Sequence, residues 1–305
     1  MLPDFRFGVN LYLPASGRIW MDKCRRAEDL GFDVLLFSDH LGTLAPFSAM
    51  VAAAHATRSA RVGTFMLNAA FWNPLLLARE AVSAAQLTDG RFELGLGTGY
   101  ARAEIEEAGL PWERAGARVD RLARTVAEVS RQLSLPPQNF QPLAGCTPPL
   151  PDDLAQDVPD GRVPPLVIGG AGPRVLRLAA TRADVVAFAG TRPSPDGQPT
   201  LAGPAEIAEQ VALVDRHAAG RRIEKNILLY SVVHTDTRES AVEQVRHFRP
   251  DLSPAELLEL PALLAGSPRT MAERLARHRE RYGFTYVAVL EPAMEAFARV
   301  IAELR

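Results

Sequence analysis

Lysine and cysteine are nearly absent from this sequence of 305 residues. Of 34 basic residues, only Lys23 and Lys225 are lysine, which reads as a compositional bias toward arginine and marks no site. Two cysteines, Cys24 and Cys146, cannot build a Cys-rich metal cluster or a disulfide framework. Both are expected as reduced thiols of a cytoplasmic protein. No apolar run approaches the length of about 18 residues that a membrane helix needs. The opening MLPDFRFGVN lacks a basic segment followed by an apolar one, so no signal peptide is expected. An excess of one charge is missing too. The net charge is -2, which argues against a basic nucleic-acid binder.

Several motifs are also missing. The first βα turn has no G-x-G-x-x-G, and no G-x-x-x-x-G-K-[ST] occurs anywhere, which excludes a P-loop nucleotidase. No H-E-x-x-H is present, and no metal site is expected. No serine sits in G-x-S-x-G, which removes the nucleophile elbow.

What is present is alternation. Short apolar runs at 7–13, 34–37, 62–67, 92–96, 166–168, 185–189, 227–234 and 286–290 read as strands. Amphipathic or Ala-rich stretches at 19–30, 47–58, 73–86, 114–133, 173–181, 205–218, 238–248, 268–281 and 294–304 read as helices. Asn73 and Pro74 are a good N-cap and first-turn pair. Eight strand–helix units in strict order predict a closed α/β (β/α)8 TIM barrel, with an open doubly wound sheet as the alternative. The Pro-rich stretch 134–165, after the fourth helix, reads as an insertion. Residues 250–266, near the seventh, read as extra helical material. The whole chain, 1–305, is expected to form one barrel domain.

In a barrel, chemistry gathers at the C-terminal strand ends. Polar and glycine residues leave the predicted strands at that rim: Asn10, Ser38-Asp39-His40, Asn68, Gly97-Thr98-Gly99-Tyr100, Gly169-Gly170-Ala171-Gly172, Thr191, His234 and Glu291. Asp39-His40 is the most reactive pair there, because imidazole moves protons near neutral pH. His55 reads as helix packing, and His217, His247 and His278 as solvated helix residues. The two glycine-rich exits allow close backbone approach and offer N–H groups to an anionic cofactor tail; each alone reads equally well as a tight turn.

Five segments carry a resemblance. They are DVLLFSDH (33–40), RVGTFMLNAAFWNP (61–74), DGRFELGLGTGY (89–100), VIGGAGP (167–173) and the closing stretch 266–292. Together they resemble the bacterial-luciferase-like flavoenzyme superfamily. Within it the chain is most similar to the coenzyme F-420 (deazaflavin)-dependent oxidoreductases of actinobacteria. The resemblance implies a TIM barrel with the cofactor at its C-terminal mouth. It implies Asp39 and His40 beside the reactive ring edge, with His40 a proton donor or hydrogen-bonding partner and either His40 or Tyr100 supplying the proton. It implies a bulge at Phe65-Met66, often a non-proline cis peptide, behind the ring. Asn68, Thr98, Gly99, Gly169 and Gly170 would hold the cofactor side chain and tail, extended by Gly172 and Arg174 at a helix start.

Two positions depart from the sugar-phosphate dehydrogenases of that class. Tyr100 stands where they have Glu, and Leu44 where they have Trp. The resemblance therefore favours reduction of a C=C or C=N bond over oxidation of a sugar phosphate. His40, Asp39 and Tyr100 form the expected catalytic group, and Phe71, Trp72 and Tyr100 the expected substrate wall. An FMN-dependent monooxygenase and a non-catalytic flavin-binding barrel are the alternatives. A homodimer through the Ala-rich helices is expected, with a small-molecule substrate and neither nucleic acid nor membrane as partner.

Overall fold

The computed structural model describes residues 4–134, 163–192 and 200–305. Its strands are β1 (Arg6–Asn10), β2 (Val34–Phe37), β3 (Arg61–Thr64), β4 (Leu67–Asn68), β5 (Phe92–Gly97), β6 (Leu166–Gly170), β7 (Val185–Phe188), β8 (Thr191–Arg192), β9 (Thr200–Leu201), β10 (Glu224–Leu229), β11 (Ser231–His234), β12 (Leu263–Gly266) and β13 (Phe284–Leu290). The helices are α1 (Gly17–Asp29), α2 (Pro46–Ala56), α3 (Pro74–Leu87), α4 (Arg102–Glu107), α5 (Ala115–Leu133), α6 (Pro173–Arg182), α7 (Pro204–His217), α8 (Arg238–Val245), α9 (Pro254–Leu258), α10 (Pro268–Tyr282) and α11 (Met294–Leu304).

Nine strands form one sheet in the order β3-β2-β1-β13-β10-β7-β6-β5-β4, and a further β3–β5 pairing closes it. Every ladder in it is parallel. Because β4 continues β3 after a break, this is the eight-stranded (β/α)8 barrel. Strands such as Val34–Phe37 and Val185–Phe188 are buried at every residue. That is why they read as unbroken apolar runs and show no alternation. Asn73 caps α3 as expected, its side chain accepting from the N–H groups of Leu75 and Leu76. Among the described residues, no helix is long and apolar enough to cross a membrane.

The N-terminal end of the barrel is closed by charge. Arg6 reaches Glu93 at 2.5 Å and Glu224 at 2.7 Å, and Arg61 reaches Glu93 at 2.6 Å. The Arg6 guanidinium also lies 4.2 Å from the Tyr286 ring centre. Above this layer the interior is apolar, with Val34, Leu36, Val167, Val185, Ala187 and Ala288 packed together.

Several expectations need correction. The run 227–234 is not one strand. It breaks at Tyr230, and β11 leaves the barrel to pair with β12. Residues 250–266 are helical only over α9 and end in a strand. Helix α4 was not foreseen. The insertion at 134–165 lies outside the described residues over 135–162. His55 is exposed, not packed, and His278 is buried, not solvated.

His278 is 8% exposed, and its Nδ1 has no hydrogen-bond partner. Burial, with Arg274, Arg277 and Arg281 nearby, pushes its imidazole down to about 3. The folded state therefore refuses a proton that the unfolded chain takes below its ordinary value near 6.5. Stability is lost as pH falls from that value toward 3, by about 2 kcal/mol at pH 5. His278→Phe is expected to flatten this loss when urea midpoints at pH 7.5 and pH 5 are compared. An unchanged pH dependence would rule His278 out as its source.

Candidate active site

The C-terminal strand ends open onto a cavity of about 510 Å³. Phe65, Met66 and Leu228 form its floor, packed on the apolar barrel interior. The floor exists because β3 stops at Thr64. The Thr64 hydroxyl accepts from the Gly95 N–H at 2.8 Å and donates to the Gly95 carbonyl at 3.0 Å. A Cβ on Gly95 would lie 1.9 Å from the Thr64 carbonyl oxygen, so only glycine allows this approach. Met66 then turns inward across two more glycines. A Cβ on Gly169 would sit 2.9 Å from Met66 Cε, and one on Gly97 3.3 Å from Met66 Cβ. The Phe65–Met66 peptide is cis, as the resemblance implied.

Beyond Met66 the chain rejoins the sheet, with Leu67 and Asn68 paired to Leu96 and Gly97. The Asn68 N–H donates to Asp39 Oδ2 at 3.0 Å, and Trp72 Nε1 donates to the same oxygen at 2.8 Å. Burial holds the Asp39 carboxyl above its ordinary range, against the pull of these two donors. Gly99 has φ +72, and a Cβ there would strike Asn68 Oδ1 at 2.2 Å. Glutamate 291, at the end of β13, accepts from the N–H groups of Tyr12 and Leu13 at 2.8 Å and pairs with Lys23. This fixes the β1–α1 loop, and with it Tyr12, at the cavity wall.

His40 lies between two partners. Its Nδ1 is 2.9 and 3.0 Å from the two carboxylate oxygens of Glu104 on α4. Its Nε2 is 3.3 Å from the Tyr100 hydroxyl, with the two rings edge to face at 5.5 Å. Desolvation and the Glu104 carboxylate raise the Tyr100 phenol above its usual value, damped by solvent because Tyr100 is 62% exposed. Burial pushes Tyr230, also on the wall, up to about 12.

Arginines surround the site without entering it. Arg118 donates to the Gly99 carbonyl at 2.5 Å and stacks 4.0 Å over Trp112. Arg174 pairs with Asp120, Arg192 with Glu206, and Arg249 with Asp251. Among the described residues the wall carries two carboxylates, Asp39 and Glu104, and no arginine or lysine.

Asp39, His40, Phe65, Met66, Asn68, Thr98, Gly99, Tyr100, Gly169 and Gly170 thus line one cavity. Four expected members do not line it. Arg174 is drawn away by Asp120 and the Gly116 carbonyl, and Gly172 sits outside as the N-cap of α6. Trp72 lies behind Asp39, packed edge-on against Phe47, so it supports the wall and does not form it. Phe71 is held back as well, its N–H bonded to the Asn68 carbonyl. Sequence reasoning missed Glu104 and Tyr230. Glu104 lies on α4, six residues long, which leaves little periodic signal in the sequence. Tyr230 was hidden inside an apparently continuous strand.

Residues 20–259 match the family model described as luciferase-like monooxygenase. The chain belongs to this family. It is 30% identical over 259 residues to the F-420-dependent glucose-6-phosphate dehydrogenase of Nakamurella multipartita, covering 80% of this chain and 72% of that one. The enzyme of the same name from Amycolatopsis mediterranei is 31% identical over 168 residues, 52% of this chain and 49% of that one. The chain spans about half the length of the first curated relatives it matches. Among solved structures, an F-420-dependent secondary alcohol dehydrogenase in complex with an F-420–acetone adduct has a TM-score of 0.72. It covers 99% of this chain and 100% of that one at 18% identity, a likeness of fold.

In this luciferase-like barrel the Trp72–Asp39 bond ties the wall together. A hydrogen bond to a buried charged group contributes about 1.5–3 kcal/mol. Trp72→Phe is expected to lower unfolding free energy by that amount at pH 8. Unchanged urea stability would show the bond to be idle.

Proposed function

We propose that this chain is an oxidoreductase that uses coenzyme F-420 and reduces a C=C or C=N bond of an uncharged organic molecule. The observation that carries this reading is the Tyr100–His40–Glu104 cluster facing the flat Met66 floor within one cavity. Similarity to F-420-dependent relatives over most of the chain supports it. The residues present fit a deazaflavin. The floor at Phe65-Met66 is apolar and flanked by Gly97 and Gly169, where a Cβ would press on Met66 and displace it. Gly169, Gly170 and Ala171 bring backbone to the rim at the start of α6, suited to a phosphate-bearing tail. A cavity of about 510 Å³ is of the size that holds a cofactor ring and a small substrate.

The reduced deazaflavin, when bound, supplies a hydride. The chain itself orients the ring on Met66, fixes the wall through Asp39 and Asn68, and holds a transferable proton at Tyr100 and His40. The apolar floor keeps water from the reacting atoms.

The charge of the wall selects the substrate. A phosphate dianion needs cationic partners, and among the described residues Arg174, Arg192 and Arg249 are paired with Asp120, Glu206 and Asp251, while Arg118 stays outside the wall on the Gly99 carbonyl. It would instead lie against Asp39 and Glu104, where like charges repel. The sugar phosphate named for the curated relatives is therefore not the substrate proposed here. Working as a cytoplasmic homodimer belongs to the same proposal. Its support is α3, which exposes Leu75, Leu76 and Leu87 beside an alanine-rich face.

A second reading follows from the family's description, because the same floor suits FMN, whose reduced form reacts with oxygen. A fluorescence titration separates the two. The apoprotein is expected to bind F-420 at micromolar or tighter concentration and FMN at least tenfold more weakly. Tighter FMN binding with substrate-coupled oxygen uptake would establish the monooxygenase instead. Glucose 6-phosphate is expected to reduce bound F-420 no faster than buffer; turnover with it would overturn the charge argument. Light scattering should give twice the mass of one chain, and a monomer at micromolar concentration would remove the dimer.

A further inference from the structure

We infer that Glu104 is a positioning residue that fixes the His40 tautomer, so that Tyr100 is the group that hands a proton to the substrate. An ionised carboxylate only accepts hydrogen bonds. With both Glu104 oxygens within 3.0 Å of Nδ1, that nitrogen carries a proton in either charge state of the ring. Leu41 N–H donates to Glu104 Oε2 at 3.3 Å, and Thr43 Oγ1 donates to the His40 carbonyl at 2.8 Å, so the carboxylate and the loop are held together. Nε2 is then the exchangeable position, and it faces the Tyr100 hydroxyl at 3.3 Å. Asp39 makes no hydrogen bond to the imidazole among the described residues, and its Oδ2 accepts from Trp72 and Asn68.

The chemistry of this relay rests on the reductase reading; its geometry does not. In the reductive direction a C–H bond forms at one end of the substrate double bond with hydride from reduced deazaflavin. The π pair moves to the other atom, which takes the Tyr100 hydroxyl proton. The phenol oxygen takes the Nε2 proton of the His40 imidazolium. The ring is left neutral, protonated on Nδ1 and held by Glu104, and solvent restores the Nε2 proton. Two electrons pass from deazaflavin to substrate, and one proton leaves His40.

The test needs neither cofactor nor substrate. Nitrogen NMR of the histidine-labelled apoprotein reads the tautomer of each of its 6 histidines, with His40 assigned by the signal lost in His40→Gln. The neutral ring of His40 is expected as the Nδ1–H form in about tenfold excess. Tyr100→Phe should leave that excess intact, and Glu104→Ala should abolish it. Glu104→Gln, whose amide oxygen still accepts from Nδ1–H, should retain part of it and controls for loss of fold. A predominant Nε2–H form in the unaltered protein, or an unchanged ratio in Glu104→Ala, would overturn the inference. In the holoenzyme, Glu104→Ala is expected to lower turnover about 10–100-fold with F-420 affinity unchanged within about twofold. Failure to bind F-420 would overturn the cofactor assignment alone, since the tautomer is read without it.

Discussion

The site depends on one close approach of backbone. Thr64 and Gly95 meet where β3 ends, sharing two hydrogen bonds across a gap that no Cβ could enter. The meeting closes the barrel, because β3 pairs with β5 below it and β4 pairs with β5 above it. It also forces the chain between them out of register, and Met66 is the residue turned inward. Everything above Thr64 follows from that turn. Leu67 and Asn68 return to the sheet, Asn68 meets Asp39, and Asp39 fixes Trp72 behind the wall. A packing constraint in the strand ladder thus sets the height of the cavity floor and the position of its polar wall.

Charge is distributed on a similar principle. Paired guanidinium and carboxylate groups fill the closed end of the barrel, where Arg6 and Arg61 share one Glu93 oxygen and Arg6 also reaches Glu224. Such pairs are weak evidence of stability, because desolvation offsets much of their attraction. They do keep water and loose charge away from the apolar interior that supports Met66. At the open end the opposite holds. Among the described residues Arg174, Arg192 and Arg249 are withdrawn into surface pairs, and two carboxylates are left at the wall. A chain with 34 basic residues therefore places no arginine or lysine among the described residues of the cavity wall, which no net charge could reveal.

The barrel was legible because its strands are buried on both faces and separated by strongly amphipathic helices. Runs such as VLLF and VVAF carry that signal directly, and the rim residues follow once the strands are placed. The errors have physical causes. Residues 227–234 stay apolar through Tyr230, because β10 packs in the barrel and β11 packs on its own small cluster; hydropathy cannot see the partner change. His278 lies among arginines in a polar-looking helix, yet its face is covered. Trp72 and Arg174 have the right residue types for a ligand wall and the wrong directions, set by Phe47 and Asp120. Glu104 entered the site through a helix too short to read from periodicity.

Two carboxylates at one wall need not share one role, and here their environments separate them. Asp39 is half-buried, with Oδ2 receiving two donors, so its work is to join the end of β2 to β4 and to Trp72. Burial raises its carboxyl above the ordinary range, and the two donors on Oδ2 oppose that rise. Glu104 sits on a short surface helix with its oxygens on His40. Its position lets charge on the imidazole be balanced when a proton arrives or leaves. Two carboxylates lining one cavity thus divide into a structural acid and a proton-organising one, a pattern by which acid–base assignments are recognised in other enzymes. The division also accounts for Tyr100. With His40 committed to Glu104 on one side, the phenol is the member of the cluster left facing the open cavity, where a substrate bound over Met66 would meet it.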